Sequence, residues 1–189
     1  MQNVEKPLAA VTAKGLRESD LLRIDPENTQ SPTTNQGGAP ILGIDPGVTG
    51  GIAALHSDGR IEAYDIPVVD GSVDVDALVR RVREHAPPLA VIEKAQAMPK
   101  QGVVSVFRYG TAFGALCACT ALLGIPTYLV SPRKWKNHFG LDADKEKSRA
   151  LAIRLWPGCG LFERKRDHGR AEAALIARYG TEVIERGQR

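Results

Sequence analysis

Short apolar runs and amphipathic stretches alternate along this chain, and the alternation begins only after position 40. The runs at 41–45, 51–56 and 60–66 have strand length, and Asp58-Gly59 between the last two is a hairpin turn signal. Together they predict an antiparallel meander. Positions 74–85 place Val75, Leu78, Val79 and Val82 at helical spacing, and Pro87-Pro88 stops that helix before a buried strand at 89–93. A loop at 98–102 precedes a long, mostly apolar helix over 103–124, followed by a fifth strand at 125–130. Pro126 opens that strand, where a missing amide donor is tolerated. Helices at 132–138 and 144–155, the second stopped by Pro157-Gly158, and a last helix at 168–179 complete the pattern. The order βββαβαβ with trailing helices predicts a mixed sheet covered by helices, an α/β layered domain.

The first 39 residues break this pattern. They are poor in aromatics and end in a polar, Gly- and Thr-rich run at 28–38, a composition that buries too little surface to offset chain entropy. The expectation is a disordered or weakly helical extension over 1–39, with a short amphipathic helix around 8–22. A folded domain over 40–182 and a short tail over 183–189 follow. A chain of 189 residues is enough for one domain with a real core.

Composition changes the picture in two places. The formal charge is only +3, yet between 131 and 170 the cations Arg133, Lys134, Lys136, Lys145, Lys147, Arg149, Arg154, Arg164, Lys165, Arg166 and Arg170 face only Asp142, Asp144, Glu146, Glu163 and Asp167. This block suits a polyanionic partner, with a solvated, salt-bridged helical surface as the alternative reading. Cys117, Cys119 and Cys159 cannot all pair and lack zinc-type spacing, so they read as reduced residues in a cytoplasmic protein. The apolar run at 111–125 falls short of the ~20 residues that span a bilayer and is expected as a core helix, with no membrane partner. The N-terminus lacks the pattern of a secretory signal, so export is not expected.

The candidate chemistry lies in four acids. Ile41-Leu42-Gly43-Ile44-Asp45 delivers one carboxylate into a glycine turn, Val91-Ile92-Glu93 repeats the construction, and Asp167 and Glu172 bracket the start of the last helix. Mg²⁺ prefers octahedral oxygen coordination, and two such ions about 4 Å apart clamp the attacking and leaving oxygens of a phosphodiester displacement. Asp45 and Glu93 sit side by side if their strands are neighbours, with the terminal helix bringing Glu172 across them. Glu172 lies amid Ala171, Ala173, Ala174 and Leu175, and a carboxylate on an apolar face calls for a compensating cation. Asp167 has two readings, helix N-cap or metal ligand. His168 reads as a general base, a phosphate contact or a partly exposed helix-start residue. Asp58 is a turn residue, and Asp74, Asp76, Asp142 and Asp144 are caps or surface charges. Gly43, Gly47, Gly50 and Gly51 permit tight backbone, or close approach to a phosphate; Gly110 and Gly114 let another backbone approach the long helix.

These residues carry a family resemblance. Gly43-Ile44-Asp45-Pro46-Gly47, the strand ending at Glu93, Ser131-Pro132-Arg133-Lys134-Trp135-Lys136, Asp144-Lys145 and Asp167-His168-Gly169-Arg170-Ala171-Glu172 together resemble the RuvC-type Holliday junction resolvases of phages, bacteria and chloroplasts, from about position 41 to 179. The resemblance implies an RNase H-like three-layer fold with a five-stranded mixed sheet, a homodimer, and a bacterial or phage-encoded, nucleoid-associated protein of recombination or repair. It implies nicking of two symmetry-related strands in a four-way DNA junction with Mg²⁺ or Mn²⁺, two ions per site. Asp45, Glu93, Asp167 and Glu172 match the metal ligands, with Lys145 and His168 beside them in catalysis. Lys136 and Lys145 match the basic residues that neutralise the scissile phosphate, and Arg133, Lys134 and Arg170 flank them as DNA contacts. The loop 97–102 with Lys100, and Phe107, Arg108 and Tyr109 beyond it, lies where the family inserts side chains at the junction centre; helix core is the other reading of those aromatics. The spacing departs from bacterial RuvC, where two aspartates three residues apart are usual; here the last two acids are five apart with His168 between them. That leaves Asp167 and His168 as alternatives for one ligand position.

Chemically, such a site directs in-line attack of water on phosphorus and leaves a 5′ phosphate. A two-fold dimer presents two sites to a roughly two-fold symmetric junction, and the helix over 103–124 is the candidate dimer face. Three other readings compete. An actin-like phosphotransferase shares the Asp45-Pro46-Gly47-Val48-Thr49-Gly50 turn but needs a second lobe that this length does not supply. The others are an RNase H-like nuclease acting on other branched DNA or hybrids, and a non-catalytic junction-binding protein.

Overall fold

The computed structural model describes residues 21–22, 38–96 and 102–185. In chain order the elements are strands β1 (Leu21–Leu22), β2 (Ile41–Asp45), β3 (Gly51–Leu55), β4 (Ile61–Asp65), β5 (Val68–Val69) and β6 (Ser72–Val73), helix α1 (Val75–His85), and strand β7 (Ala90–Glu93). Helix α2 (Val103–Leu122), strand β8 (Thr127–Val130), and helices α3 (Pro132–His138), α4 (Lys145–Leu155) and α5 (His168–Tyr179) follow. A 3₁₀ turn at Lys165–Asp167 leads into α5, and a π-helical turn at Gly180–Glu185 continues it.

The main sheet runs β1-β8-β7-β2-β3-β4. Strands β2, β3 and β4 form the antiparallel meander, whereas β7 lies parallel to β2 on one side and to β8 on the other. These five strands are the mixed sheet of an RNase H-like α/β fold. The two residues of β1 add a short antiparallel edge beside Thr127 and Tyr128, so the end of the span expected as an amphipathic helix is extended. The rest of that span and Lys100 lie outside the described residues.

Strand side chains alternate between faces, and the two faces are both apolar. Leu42, Ile44, Ile52, Ala54, Ala90 and Ile92 pack with Leu78 and Val82 of α1 and with Leu116 and Cys119 of α2. Ile41, Ala53, Val91, Tyr128 and Val130 pack on the opposite face with Trp135, Ala152 and the Ala-rich α5. The result is three layers. Short side chains let α5 approach so closely that a Cβ on Gly51 would sit 2.6 Å from the Gly169 carbonyl oxygen and 2.7 Å from the Arg170 amide nitrogen. Gly43 meets the backbone of Ala173 and Ala177 in the same way. The capping reading holds at two starts: Asp74 accepts from the Ala77 amide at 3.0 Å, and Asp144 accepts from the Glu146 amide at 2.9 Å.

Helix α2 corrects two expectations. It is 20 residues long with a mean hydropathy of 1.3, long and apolar enough to cross a membrane by length and composition, because it starts eight positions before the run counted from 111. Nor is it a core helix all round. Ala112, Leu116, Cys119 and Thr120 form its buried stripe, while Val103, Val104, Phe107 and Leu122 are largely exposed. Nothing among the described residues comes within 4 Å of a Cβ built on Gly110 or Gly114.

Candidate functional site

Strand register assembles the site. Leu42, Gly43 and Ile44 of β2 lie opposite Ala90, Val91 and Ile92 of β7, so the next step brings Asp45 beside Glu93 at the carboxyl ends of both strands. Asp45 shares the face of Ile41 and Gly43, and Glu93 shares that of Val91, which is the face covered by α5. Helix α5 delivers Glu172 there. Asp45, Glu93 and Glu172 line one open cavity of about 700 Å³, together with Lys136 from α3, Lys145 from α4, and Arg108 and Tyr109 from α2. The turn from Pro46 to Gly50 forms its remaining wall.

Each acid has a different set of partners. Glu172 is buried and accepts from the Lys136 Nζ at 2.8 Å and from the Ser148 hydroxyl at 3.2 Å, which is the compensating cation its apolar surroundings require. Glu93 accepts from the buried Trp135 Nε1 at 2.6 Å. Asp45 is buried, and none of its described contacts is a hydrogen bond from a side chain. Burial, then repulsion from Glu172 and Glu93, pushes its pKa well above the usual carboxylate value, with Lys145 and Lys136 opposing. Glu93 is raised mainly by burial, while the Trp135 hydrogen bond pulls the other way. Burial, reinforced by the same three carboxylates, also raises the Tyr109 hydroxyl, which therefore stays protonated at neutral pH.

The described geometry does not bring Asp167 or His168 to the cavity lining. Asp167 is buried against Arg164: it accepts the Arg164 amide at 2.9 Å and its guanidinium at 3.0 Å, closing the 3₁₀ turn instead of capping α5. Burial raises its pKa, but those Arg164 contacts outweigh it and leave the carboxyl below its usual value. His168 is half-buried with an Nδ1 that has no hydrogen-bond partner. Burial and then Lys145 hold its pKa down.

The predicted DNA contacts divide similarly. Lys136, Lys145 and Arg108 reach the cavity. Arg133 is exposed on α3, Lys134 donates to the Tyr128 hydroxyl at 2.8 Å, and Arg170 is held by both carboxylate oxygens of Asp65 at 2.6 Å. Sequence reasoning assigned no role to Trp135 or Ser148. A buried tryptophan N–H requires an acceptor, which is the signal that points Trp135 at an acid; nothing in the local pattern marks Ser148.

A mixed sheet in this order, covered by helices on both faces, is an RNase H-like α/β fold, and that fold is RuvC-like. A structure of Thermus thermophilus RuvC superposes with a TM-score of 0.54 at 17% identity, covering 76% of this chain and 96% of that one. A structure of T. thermophilus RuvC in complex with a Holliday junction substrate gives 0.53 at 18% identity, covering 76% and 94%. No family model and no curated protein matches the sequence.

Proposed function

We propose that this protein is a divalent-metal-dependent endonuclease that resolves four-way DNA junctions by paired nicks. The observation that carries the reading is the convergence of Asp45, Glu93 and Glu172 from three elements in one open cavity with Lys136 and Lys145. The donor set fits Mg²⁺ or Mn²⁺: every ligand is a hard oxygen, and the repulsion felt by Asp45 is what a bound cation relieves. Asp45, Glu93 and Glu172 would hold the metal, two ions at full occupancy. When bound, the metal supplies Lewis-acid polarisation of the phosphoryl group and charge neutralisation.

The remaining work falls to the chain's own side chains. Trp135 and Ser148 fix Glu93 and Glu172 by hydrogen bonds, so the acids are oriented before substrate arrives. Lys136 and Lys145 bind the non-bridging oxygens of the scissile phosphate and its neighbour, and Arg108 and the Tyr109 hydroxyl donate from the opposite wall. Attack by water in line with the 3′ oxygen then leaves a 5′ phosphate. Pairing of nicks follows from a homodimer formed through the exposed apolar residues of α2, in a cytoplasmic, nucleoid-associated setting.

The test is incubation with a labelled mobile four-way junction and Mg²⁺, beside a duplex and an RNA–DNA hybrid. Symmetric paired nicks in the junction alone, abolished by chelator, are expected. Equal cutting of the hybrid would move the assignment to another RNase H-like nuclease, and tight junction binding without cleavage would make the protein an architectural binder.

A further inference from the structure

We propose that His56, Glu62 and His85 form a second metal site, separate from the acid cavity, that takes a transition-metal ion of the zinc class. One ligand atom from each residue lies within 4.8 Å of the other two. The residues come from three elements: His56 just beyond β3, Glu62 on β4 and His85 at the end of α1. Glu62 stands opposite Ala54, near the hairpin turn, whereas Asp45 stands opposite Gly51. Three to four strand residues, roughly 12 Å, therefore separate the two sites along the sheet.

Three observations point to a cation here. The Nε2 of His85 is buried with no hydrogen-bond partner, an arrangement that leaves a lone pair or a proton unsatisfied unless something fills the space before it. The His56 Nε2 lies 3.0 Å from the Glu62 Oε1, so two further donors already converge. Tyr64 donates to the other Glu62 oxygen at 2.8 Å, the kind of outer contact that orients a ligating carboxylate. Burial acts to raise the Glu62 pKa, yet hydrogen bonds from Tyr64, Arg60 and His56 overcome it and bring the value down to about 2.

Ligand chemistry selects the ion. Two imidazoles and one carboxylate favour zinc-class metals over Mg²⁺, whose preference is all-oxygen, and three protein ligands leave one position open. At present the Arg60 guanidinium supplies positive charge at this place, touching Glu62 and lying 3.1 Å from the His56 Nδ1. Its side chain is 56% exposed, so it can swing into solvent when a metal enters. An ion held here ties the β3–β4 hairpin to the end of α1, which chain connectivity alone leaves joined only through the 22 positions between Glu62 and His85.

The experiment titrates Zn²⁺ into the full chain carrying Asp45→Asn and Glu93→Gln, with excess Mg²⁺ present, by calorimetry and by X-ray absorption at the zinc edge. One Zn²⁺ per chain with imidazole and no sulfur in its shell is expected, together with a rise in Tm. His56→Gln and His85→Gln should each weaken binding at least about tenfold, with unchanged far-UV circular dichroism. Arg60→Ala is exposed enough to leave folding intact and should tighten binding. Zinc uptake that persists in the double histidine variant, a sulfur-containing shell, or an affinity indifferent to Arg60→Ala would overturn the proposal.

Discussion

Gly51→Ala probes how closely α5 must sit on the sheet for the cavity to form. Gly51 faces Asp45 across the β2–β3 ladder, and a Cβ there would lie 2.6 Å from the Gly169 carbonyl oxygen and 2.7 Å from the Arg170 amide nitrogen. Both neighbours are backbone, so neither can rotate away. Restoring an ordinary 3.4 Å contact requires the first turn of α5 to retreat by about 0.8 Å. His168 begins that turn and Glu172 follows one turn later, so both move relative to Asp45 and Glu93. Overpacking of this kind costs about 1–3 kcal/mol. A displacement near 1 Å in a reacting geometry costs roughly 10²-fold in rate. The assay pairs urea denaturation with single-turnover cleavage of a four-way junction at a temperature where the variant remains folded. A variant as stable as the parent and equally fast would refute the claim that the helix–sheet spacing sets the site.

Four further substitutions separate the roles in and around the cavity. Because the Asp45 pKa is raised in the folded protein, its stabilising contribution is fully present below its ordinary value of 3.8 and is lost as pH rises through the folded value. Asp45→Asn should therefore raise the urea midpoint at pH 7 without divalent metal, lose that advantage near pH 3, and abolish cleavage while junction binding persists; an unchanged midpoint at pH 7 refutes the repulsion. Lys136→Ala leaves the buried Glu172 carboxylate without its cation, and breaking such a pair costs about 3–5 kcal/mol. Denaturation in chelator checks it, and a loss under about 0.5 kcal/mol would show that Ser148 alone suffices. Asp167→Ala should lower stability by releasing Arg164, whereas His168→Ala should lower the metal-dependent rate at nearly constant stability. The reverse outcome assigns the ligand position to Asp167.

The parts of this structure that were legible in the sequence are those set by local pattern. Strand-ending acids at 45 and 93 become neighbours because two parallel strands in register must bring their ends together. Asp74 and Asp144 cap because a short carboxylate before an amphipathic run has nearby free amides to bind. What spacing alone leaves open depends on how each segment is folded and what is placed against it. The apolar composition of α2 says nothing about which of its faces is covered, and half of it is not. Arg170, expected as a DNA contact, is paired with Asp65, 105 positions away, which the sequence does not show. Asp167 points toward Arg164 because the chain enters α5 through a 3₁₀ turn, a geometry that spacing from Glu172 does not encode. The β5–β6 hairpin has an Asp70-Gly71 turn with both residues at positive φ, but its two-residue strands are too short for alternation to register.

Under the proposed function, the charge balance of the cavity couples metal to phosphate. Asp45, Glu93 and Glu172 carry three formal negative charges and Lys136 and Lys145 carry two positive ones, which leaves the floor at −1 with Arg108 at the exposed rim. The phosphodiester of the proposed reaction is itself anionic, so the floor without a cation would repel it, the more so because Lys136 is already engaged with Glu172. One divalent cation turns −1 into +1 and a second turns it into +3. Phosphate and metal would therefore strengthen each other's binding by the same factor, whichever arrives first. The cationic surface outside the cavity, including Arg133, has no such condition attached to it. Under the proposed function, DNA capture by that surface should tolerate loss of the metal, while seating of the scissile phosphate should not, and acid-to-amide variants such as Asp45→Asn would separate the two steps.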